Sequence, residues 1–334
     1  MYEVGTIRYA SRGGLSCVAF LGVDISKADF HCCLLDGEVS SAAKFDNKSP
    51  GYRGVLKWLK KERAKDIHVC MEATGPYWRG LANTLYAAGL RVSVVNPSRT
   101  AYYARVKLQR TKTDAVDAKM LADFCKSQKP DLWKPPAPEI LELRAFLTYR
   151  TQLIKQRTAQ NLLVAQVEGN SALGRIHTAQ LSAIGKAIGA VEREIRSHLK
   201  RHPELQERVA RVQSIPGLGT LSSATIVAHL PVERLRDKKA VGAYAGLSPR
   251  DRQSGTSVHG KPRICKMGNA DLRRAMFMPA MVAIKCNPAM KVFAERLKAR
   301  GKPAKVIIVA VMRKMLVLAY TLLLAKTNFD PSRA

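Results

Sequence analysis

Four acidic side chains stand where carboxylates could gather into one catalytic site. Asp24 ends an apolar strand and Glu72 ends another, while Asp114 and Asp117 stand three residues apart near the start of a predicted helix and share one face of it. Carboxylates at the ends of neighbouring strands can converge, and a cation must then neutralise their repulsion. Two Mg²⁺ ions roughly 4 Å apart would activate a nucleophile and stabilise the leaving oxygen of a phosphodiester.

Each acid also has a purely structural interpretation. Asp114 could be only the N-cap of the helix, and Asp117 a first-turn acid that favours the helix dipole. Asp24 could begin a turn, and Glu72 could cap a loop. Taken singly, the two interpretations are about evenly matched. The order strand Asp, strand Glu, helix Asp-x-x-Asp favours the metal site.

The elements that must position these acids follow from the hydrophobic pattern. Residues 1–16 are predicted to be a leader. Between residues 17 and 130 the pattern predicts three strands, then helix, strand, helix, strand and helix, which describes an α/β domain with a mixed sheet and helices on its faces.

A helical middle part and a second globular part are expected after this domain. Residues 131–210 begin with a Pro-rich linker and continue as long helices, broken near 168–174. Apolar residues spaced by four, three, four and four positions form a coiled-coil-like seam there: Ile184, Ile188, Val191, Ile195 and Leu199. Residues 211–330 form a mostly helical domain, interrupted by a polar loop at 247–270.

The composition points to a polyanionic partner. The chain of 334 residues carries 56 Lys and Arg against 26 Asp and Glu, a formal net charge of +30. Nucleic acid is the first candidate, because phosphate contacts supply most non-specific affinity. A membrane surface is disfavoured, because the basic residues are spread along the whole chain. The apolar run 306–320 contains Arg313 and Lys314, and it is predicted to be a buried helix.

The cysteines and the N-terminus favour a cytoplasmic, nucleoid-associated protein. The seven cysteines include no C-x-x-C pair, which argues against both zinc and a disulfide framework. The first residues lack the apolar stretch of a signal peptide.

Several further residues are candidates for contacts with nucleic acid. The stretch "IPGLG" is similar to a helix-hairpin-helix turn, in which Gly217 and Gly219 would let backbone N–H groups approach a phosphate. The alternative is a tight turn that needs glycine for packing alone. The basic candidates are Arg110, Lys112, Arg250, Arg252, Lys261, Arg263, Lys266, Arg273 and Arg274.

The loop "DRQSGTSVHGKPR" carries serine hydroxyls among basic side chains. A serine in such surroundings can attack a phosphodiester, with the guanidinium groups stabilising the charge that develops on phosphorus. From the residues alone, an ordinary phosphate-binding loop is the better interpretation.

The order of the motifs closely resembles one known family. The stretches "GVDISK", "CMEATGPYW", "VNPSR" and "KTDAVDAKMLADF", followed by "IPGLG" and "AGLSPRDRQSGTSVHGKPRICKMGNADLRRAMFMPA", resemble the DEDD transposases of the insertion-sequence 110 type and their relatives, the Piv-like DNA invertases. The resemblance covers residues 17–330. It implies a RuvC-like, RNase H-type N-terminal fold with Asp24, Glu72, Asp114 and Asp117 as catalytic metal ligands.

The resemblance also implies a nucleophile and partners. The position that matches the family's nucleophilic serine is Ser254, and Ser257 is the second choice. Donor and target DNA, a structured non-coding guide RNA, and a dimer that assembles into a tetramer are the implied partners. The competing hypotheses are a RuvC-like nuclease that hydrolyses with water, an invertase without a guide RNA, and a non-catalytic nucleic-acid-binding protein.

Overall fold

The chain folds into two compact units, Met1–Pro136 and Ala137–Ala334. The computed structural model describes residues 19–37, 39–64, 66–108, 111, 113–164, 171–254 and 258–331, with the backbone alone at 171, 251–254 and 258–262. The predicted leader therefore lies outside the described residues. The predicted division into three domains at residues 130 and 210 stays a prediction.

The first unit is built on a five-stranded mixed sheet with the strand order β3-β2-β1-β4-β5. Its strands are β1 (Phe20–Ile25), β2 (Asp29–Asp36), β3 (Val39–Asp46), β4 (His68–Glu72) and β5 (Arg91–Val95). The first three strands form an antiparallel meander, and β4 and β5 run parallel to β1. The predicted α/β sheet is confirmed.

Helices cover both faces of this sheet. They are α1 (Ser49–Lys61), α2 (Trp78–Ala87), α3 (Pro97–Val106) and α4 (Asp114–Gln128). Helices α1 and α2 bury one face, where Leu21 and Val23 of β1 are fully enclosed. Helix α4 covers the other face, towards which the alternate positions of the strands point. Asp24 and Glu72 belong to this second face.

A single glycine lets α4 lie directly on β1. A Cβ atom at Gly22 would stand 2.0 Å from the carbonyl oxygen of Ala118 and 2.3 Å from the backbone nitrogen of Ala122. Any side chain at this position would therefore push the helix off the sheet. Asp24 lies two residues further along the same face, so this contact also sets how far Asp114 and Asp117 lie from it.

The second unit is mostly helical, as predicted. Its long helices are α5 (Pro138–Asn161), α6 (Ser171–Arg201), α7 (Pro203–Gln213), α8 (Thr220–His229), α9 (Lys238–Tyr244), α10 (Ala270–Cys286), α11 (Pro288–Ala299) and α12 (Ala304–Ala325). A short 3₁₀ turn, Val232–Arg234, precedes α9.

Helices α5 and α6 run antiparallel. Arg150 on α5 bonds Glu192 on α6, and nearer the connection His177 bonds the carbonyl of Gln160. The predicted seam on α6 is buried or half-buried in the same core as the apolar side chains of α5. The seam therefore packs within this chain, and a coiled coil in the strict sense stays a prediction.

The apolar helix α12 lies in the core of the second unit. It is long and apolar enough to cross a membrane, with a mean hydropathy of 2.1, and half of its most apolar window is buried in the fold. Val311, Met315 and Leu316 are fully enclosed. The prediction of a buried helix at 306–320 is confirmed.

A two-stranded hairpin interrupts the helices where a loop was predicted at 247–270. Strands β6 (Pro249–Ser254) and β7 (Val258–Ile264) pair in antiparallel register. The loop prediction was wrong because the polar, basic sequence hides the strands. Neither strand has the apolar alternation by which strands are recognised, and backbone pairing forms the hairpin instead.

The close contact at Gly22 generates a prediction about stability. We expect Gly22→Ala to lower the free energy of unfolding of the first unit by about 3 kcal/mol, because the added methyl meets helix backbone that cannot move alone. Urea denaturation followed by tryptophan fluorescence measures this, since Trp58, Trp78 and Trp133 all lie in the first unit.

Gly185→Ala is the control for that measurement. Gly185 lies on α6 with open space around its Cβ position, so the same substitution there should leave the tryptophan transition unchanged. A Gly22→Ala protein with the wild-type unfolding midpoint would contradict the contact.

Candidate active site

Asp24 faces a histidine and a lysine across the sheet. In the strand register Asp24 lies opposite His31 of β2, and His31 lies opposite Lys44 of β3. Directly paired residues point to the same face, so the three side chains form a row beside the start of α4. Lys44 Nζ lies 2.7 Å from Asp29 Oδ2, at the outer end of the row.

His31 is a site residue that the sequence did not reveal. Its Nε2 lies 3.8 Å from Asp114 Oδ2 and makes no hydrogen bond in the described part of the chain, although it is buried. A single histidine in a strand carries no motif, so only the pairing register reveals its place beside the acids.

Glu72 is held in place by two hydroxyl groups. Thr74 Oγ1 donates to one carboxylate oxygen at 2.7 Å. Thr100 Oγ1 lies 2.8 Å from the other oxygen and shares its one proton between that oxygen and the carbonyl of Pro97, which is at the same distance. Thr100 is buried and lies on α3. With both oxygens bonded, the carboxylate has a fixed orientation, which makes the threonines positioning residues that sequence analysis missed.

Asp114 and Asp117 lie in the first turn of α4, as predicted. The N-cap is Thr113, whose Oγ1 accepts a hydrogen bond from the backbone N–H of Val116 at 3.3 Å. The alternative that Asp114 is itself the N-cap is therefore wrong. The side-chain cap of α4 is therefore made by Thr113, and both aspartates remain first-turn acids that favour the helix dipole.

The four acids share one electrostatic field. The pKa of Asp24 is raised to about 6, first by burial and then by the negative charges of Asp117, Asp114 and Glu72. All three predicted partners therefore lie near enough to Asp24 to disfavour its ionisation. The convergence of all four acids on one metal ion stays a prediction.

The donor set has the chemistry of a divalent metal site. Four carboxylates that repel one another are hard oxygen ligands, and a cation would relieve the repulsion that raises the pKa of Asp24. Among the residues that the structure describes, no group of three or more acids, histidines or cysteines is gathered closely enough to hold an ion.

Ser254 is the last residue of β6, at the tip of the hairpin, and its backbone lies opposite Val258. Its side chain and those of Arg252 and Lys261 are outside the described part of the structure, as is Ser257 altogether. At the base of the hairpin Arg250 pairs directly with Arg263, and both are exposed. Two like charges opposite one another destabilise a hairpin, so an anion bound there would stabilise it.

The other predicted basic contacts have different surroundings. Arg110 and Lys112 lie outside the described residues. Arg273 Nη1 donates to the carbonyls of Ala245 and Gly268 at 2.8 and 3.0 Å, so this nitrogen holds the backbone before α10. Lys266 is exposed, and Arg274 forms an ion pair with Asp271.

The two glycines of the "IPGLG" turn have different reasons to be glycine. Gly217 has a φ of +104°, and a Cβ there would stand 2.7 Å from the Cβ of Ala283 on α10. Packing alone thus requires Gly217. Gly219 precedes α8 with an ordinary φ of −93° and open space around it. A helix-hairpin-helix contact with phosphate at this turn stays a prediction.

The raised pKa of Asp24 sets the sign of a pH effect. Because the folded-state pKa lies above the ordinary value of 3.8, ionised Asp24 destabilises the fold, and stability is lost as the pH rises from about 4 to about 6. In chelating buffer, we expect Asp24→Asn to be more stable than the wild type above pH 6, by about 1 kcal/mol after allowing for solvent screening, and equal to it below pH 4.

Asp29→Asn is the control with the opposite sign. Hydrogen bonds from Lys44 and Ser26 lower the pKa of Asp29, so its removal should destabilise the protein at neutral pH and have less effect in acid. Urea denaturation at a series of pH values checks both. Identical pH profiles for Asp24→Asn and wild type would show that the acids do not interact.

Comparison with known proteins identifies the family. A transposase model of the DEDD, IS110 type matches residues 21–167, and a model described as "Transposase IS116/IS110/IS902 family" matches residues 209–295. The pilin gene-inverting protein of Moraxella bovis is 33% identical over 319 residues, which cover 93% of this chain and 97% of that protein. The transposase of insertion sequence element IS1111A from Coxiella burnetii is 24% identical over 316 residues, which cover 82% of this chain and 80% of that transposase.

Solved structures give only a distant likeness. RuvC of Thermus thermophilus, in complex with a Holliday junction substrate, is 10% identical with a TM-score of 0.28, covering 35% of this chain and 99% of RuvC. That likeness is too weak to define the fold or the site. The sequence matches, by contrast, extend over both units and confirm the family resemblance that the motifs predict. The chain belongs to the IS110 family of DEDD transposases and is a DNA recombinase.

Proposed function

We propose that this protein cuts and rejoins the DNA of a mobile element by transesterification through Ser254, at a divalent-metal site formed by Asp24, Glu72, Asp114 and Asp117. The observation that supports the proposal is the placement of the four acids. Asp24 and Glu72 lie near the ends of the adjacent strands β1 and β4 on the face that α4 covers, and Asp114 and Asp117 lie in the first turn of α4. A divalent cation bound there would relieve the repulsion that contributes to the raised pKa of Asp24.

The four carboxylates would hold the ions, and Mg²⁺ is the expected metal because it prefers oxygen ligands and works with phosphate. When bound, two such ions supply charge stabilisation to the attacking and leaving oxygens of a phosphodiester. Thr74 and Thr100 keep the Glu72 carboxylate oriented. Gly22 keeps α4, and with it Asp114 and Asp117, close to the sheet.

The bond changes at Ser254 balance without an external energy source. The Ser254 oxygen forms a bond to phosphorus as it loses its proton, and the bond from phosphorus to the leaving deoxyribose oxygen breaks as that oxygen is protonated. A hydroxyl end of another strand then reverses the process, releasing the serine. One phosphate ester replaces another, so the energy of the cut strand is retained for rejoining. Arg250 and Arg263, which pair across the hairpin, would contact backbone phosphates.

The wider assembly follows from the same proposal. Recombination requires at least two strands to be cut together, which supports a dimer that assembles into a tetramer on donor and target DNA. A guide RNA is consistent with the large positive charge, because RNA and DNA present the same phosphates. DNA inversion is a second candidate outcome, since the Moraxella bovis relative, 33% identical over nearly its full length, is named a pilin gene-inverting protein.

The metal site predicts a response to Mg²⁺ that needs no substrate. We expect millimolar MgCl₂ to raise the thermal midpoint of the wild type, monitored by tryptophan fluorescence, because ligand binding to the folded state stabilises it. Asp24→Asn should respond weakly or not at all, since it lacks one ligand. Asp29→Asn, on the same sheet edge but outside the four acids, should respond as the wild type does. An equal rise in thermal midpoint in all three proteins would contradict the proposed metal site.

The serine proposal predicts a covalent intermediate. With Mg²⁺, element-encoded RNA and DNA from the element's own junctions, a denaturing gel should show a protease-sensitive protein–DNA adduct. Ser254→Ala should abolish the adduct, because no other group replaces the nucleophile, whereas Ser257→Ala should retain it.

The other outcomes of that gel have distinct meanings. Loss of the adduct only in Ser257→Ala would identify Ser257 as the nucleophile. Metal-dependent nicking that survives Ser254→Ala, with no adduct in any protein, would identify a nuclease that hydrolyses with water.

A further inference from the structure

The second unit contains a cleft that the proposed chemistry does not use. It has a volume of about 530 Å³ and lies between α5, α8 and α10. Pockets of this size are typical of sites for small organic groups. Its apolar wall is formed by Leu147, Ile154, Leu221 and Pro279. An apolar cleft of this size could hold one flat ring system.

Positive charge surrounds the apolar wall. Three of the lining side chains, Arg150, Lys155 and Arg274, are cationic, and one, Asp271, is anionic. Arg150 is also bonded to Glu192, which lies outside the lining, and Arg274 to Asp271. Lys155 is exposed and has no ion-pair partner among the described residues. The rim therefore has a net positive charge, which favours a ligand that carries a phosphate.

The lining also includes neutral polar groups. Burial, together with the positive charges of Arg144 and Arg274, lowers the pKa of His229 to about 4, so its imidazole is uncharged at neutral pH and presents one donor and one acceptor. Pro279 lies within α10 and has no N–H to give, so the carbonyl of Ala275 lacks its helical partner. Both Ala275 and Pro279 line the cleft.

The cleft has an apolar wall beside a positively charged rim, and a nucleotide likewise has an uncharged base beside a charged phosphate. A nucleobase is flat and uncharged, with hydrogen-bonding edges, and its phosphate is an anion at one end. We propose that the cleft between α5, α8 and α10 binds one unpaired nucleotide of a nucleic-acid strand, with the base against the apolar wall and the phosphate at Lys155 and Arg150. A base within a duplex is stacked and paired and cannot enter, so the cleft selects a bulged, flipped or single-stranded position. The inference rests on the proposed function only in taking nucleic acid as the partner.

The test compares paired and unpaired probes on the full-length protein. A fluorescein-labelled duplex and the same duplex with one bulged nucleotide are titrated, and the two dissociation constants are measured by anisotropy at one fixed salt concentration. Ser222→Phe fills the cleft from α8, and Thr148→Phe fills it from α5 should the first variant fail to fold. Either variant should weaken binding of the bulged probe about tenfold and leave duplex binding within about twofold.

Charge variants separate the cleft from general attraction to phosphate. Lys155→Gln should weaken binding of the bulged probe more than binding of the duplex. Lys186→Gln, which removes an exposed charge on α6 outside the cleft, should weaken both by the same small factor. Equal losses for both probes in the filling variants, or no loss in either, would overturn the proposal. If the filling variants change the oligomeric mass of the protein and still bind the bulged probe as the wild type does, the cleft contacts a second copy of the chain and the proposal is wrong.

The same proteins keep this test apart from the test of Ser254. Ser254→Ala should lose the covalent adduct and keep its preference for the bulged probe. The filling variants should lose that preference while still binding duplex. Failure of one proposal therefore leaves the other standing.

Discussion

The contact of α4 with β1 at Gly22 is the constraint on which the acidic site depends. Helix backbone occupies the space that any side chain at Gly22 would need. Asp24 follows two residues later on the same face, and Asp117 directly precedes the helix residue that touches the glycine. A helix held off by one methyl group would carry both of its aspartates away from the sheet. The site thus depends on the absence of a side chain as much as on the carboxylates themselves.

The closeness of the carboxylates, which a metal site requires, lowers the stability of the fold. Burial and the negative charges of the other three acids disfavour ionisation of Asp24, so ionised Asp24 carries an electrostatic cost. The surroundings limit that cost without removing it: Thr74 and Thr100 bond to Glu72, and Thr113 caps α4 in place of an aspartate. Stored repulsion of this kind is typical of a site that is completed by a cation.

The second unit carries positive charge at its hairpin and at its cleft. Its core is a continuous apolar cluster that includes α5, α6 and α12. Arg250 and Arg263 oppose one another at the base of the hairpin that carries Ser254, and the cleft beside α5 has a positive rim. In the proposed function the first unit supplies the carboxylates that would hold a metal ion, and the second unit supplies cations for phosphate and the serine that would act as nucleophile.

The family, the α/β sheet and the buried nature of α12 could be predicted from the sequence, because these depend on residue order and periodicity along the chain. The four acids could be named as candidates in the same way, and their role stays a prediction. The sequence could not reveal His31, Thr100 or the cleft, since each depends on strand register or on helices far apart in the chain. It missed the hairpin at 249–264, because polar strands lack the apolar alternation that marks a strand. Two further points required the folded structure: Gly217 packs against Ala283 where a side chain would not fit, and Thr113, not Asp114, caps α4. Residue types fix what chemistry is possible, but the distances between them arise from packing, which no local pattern records.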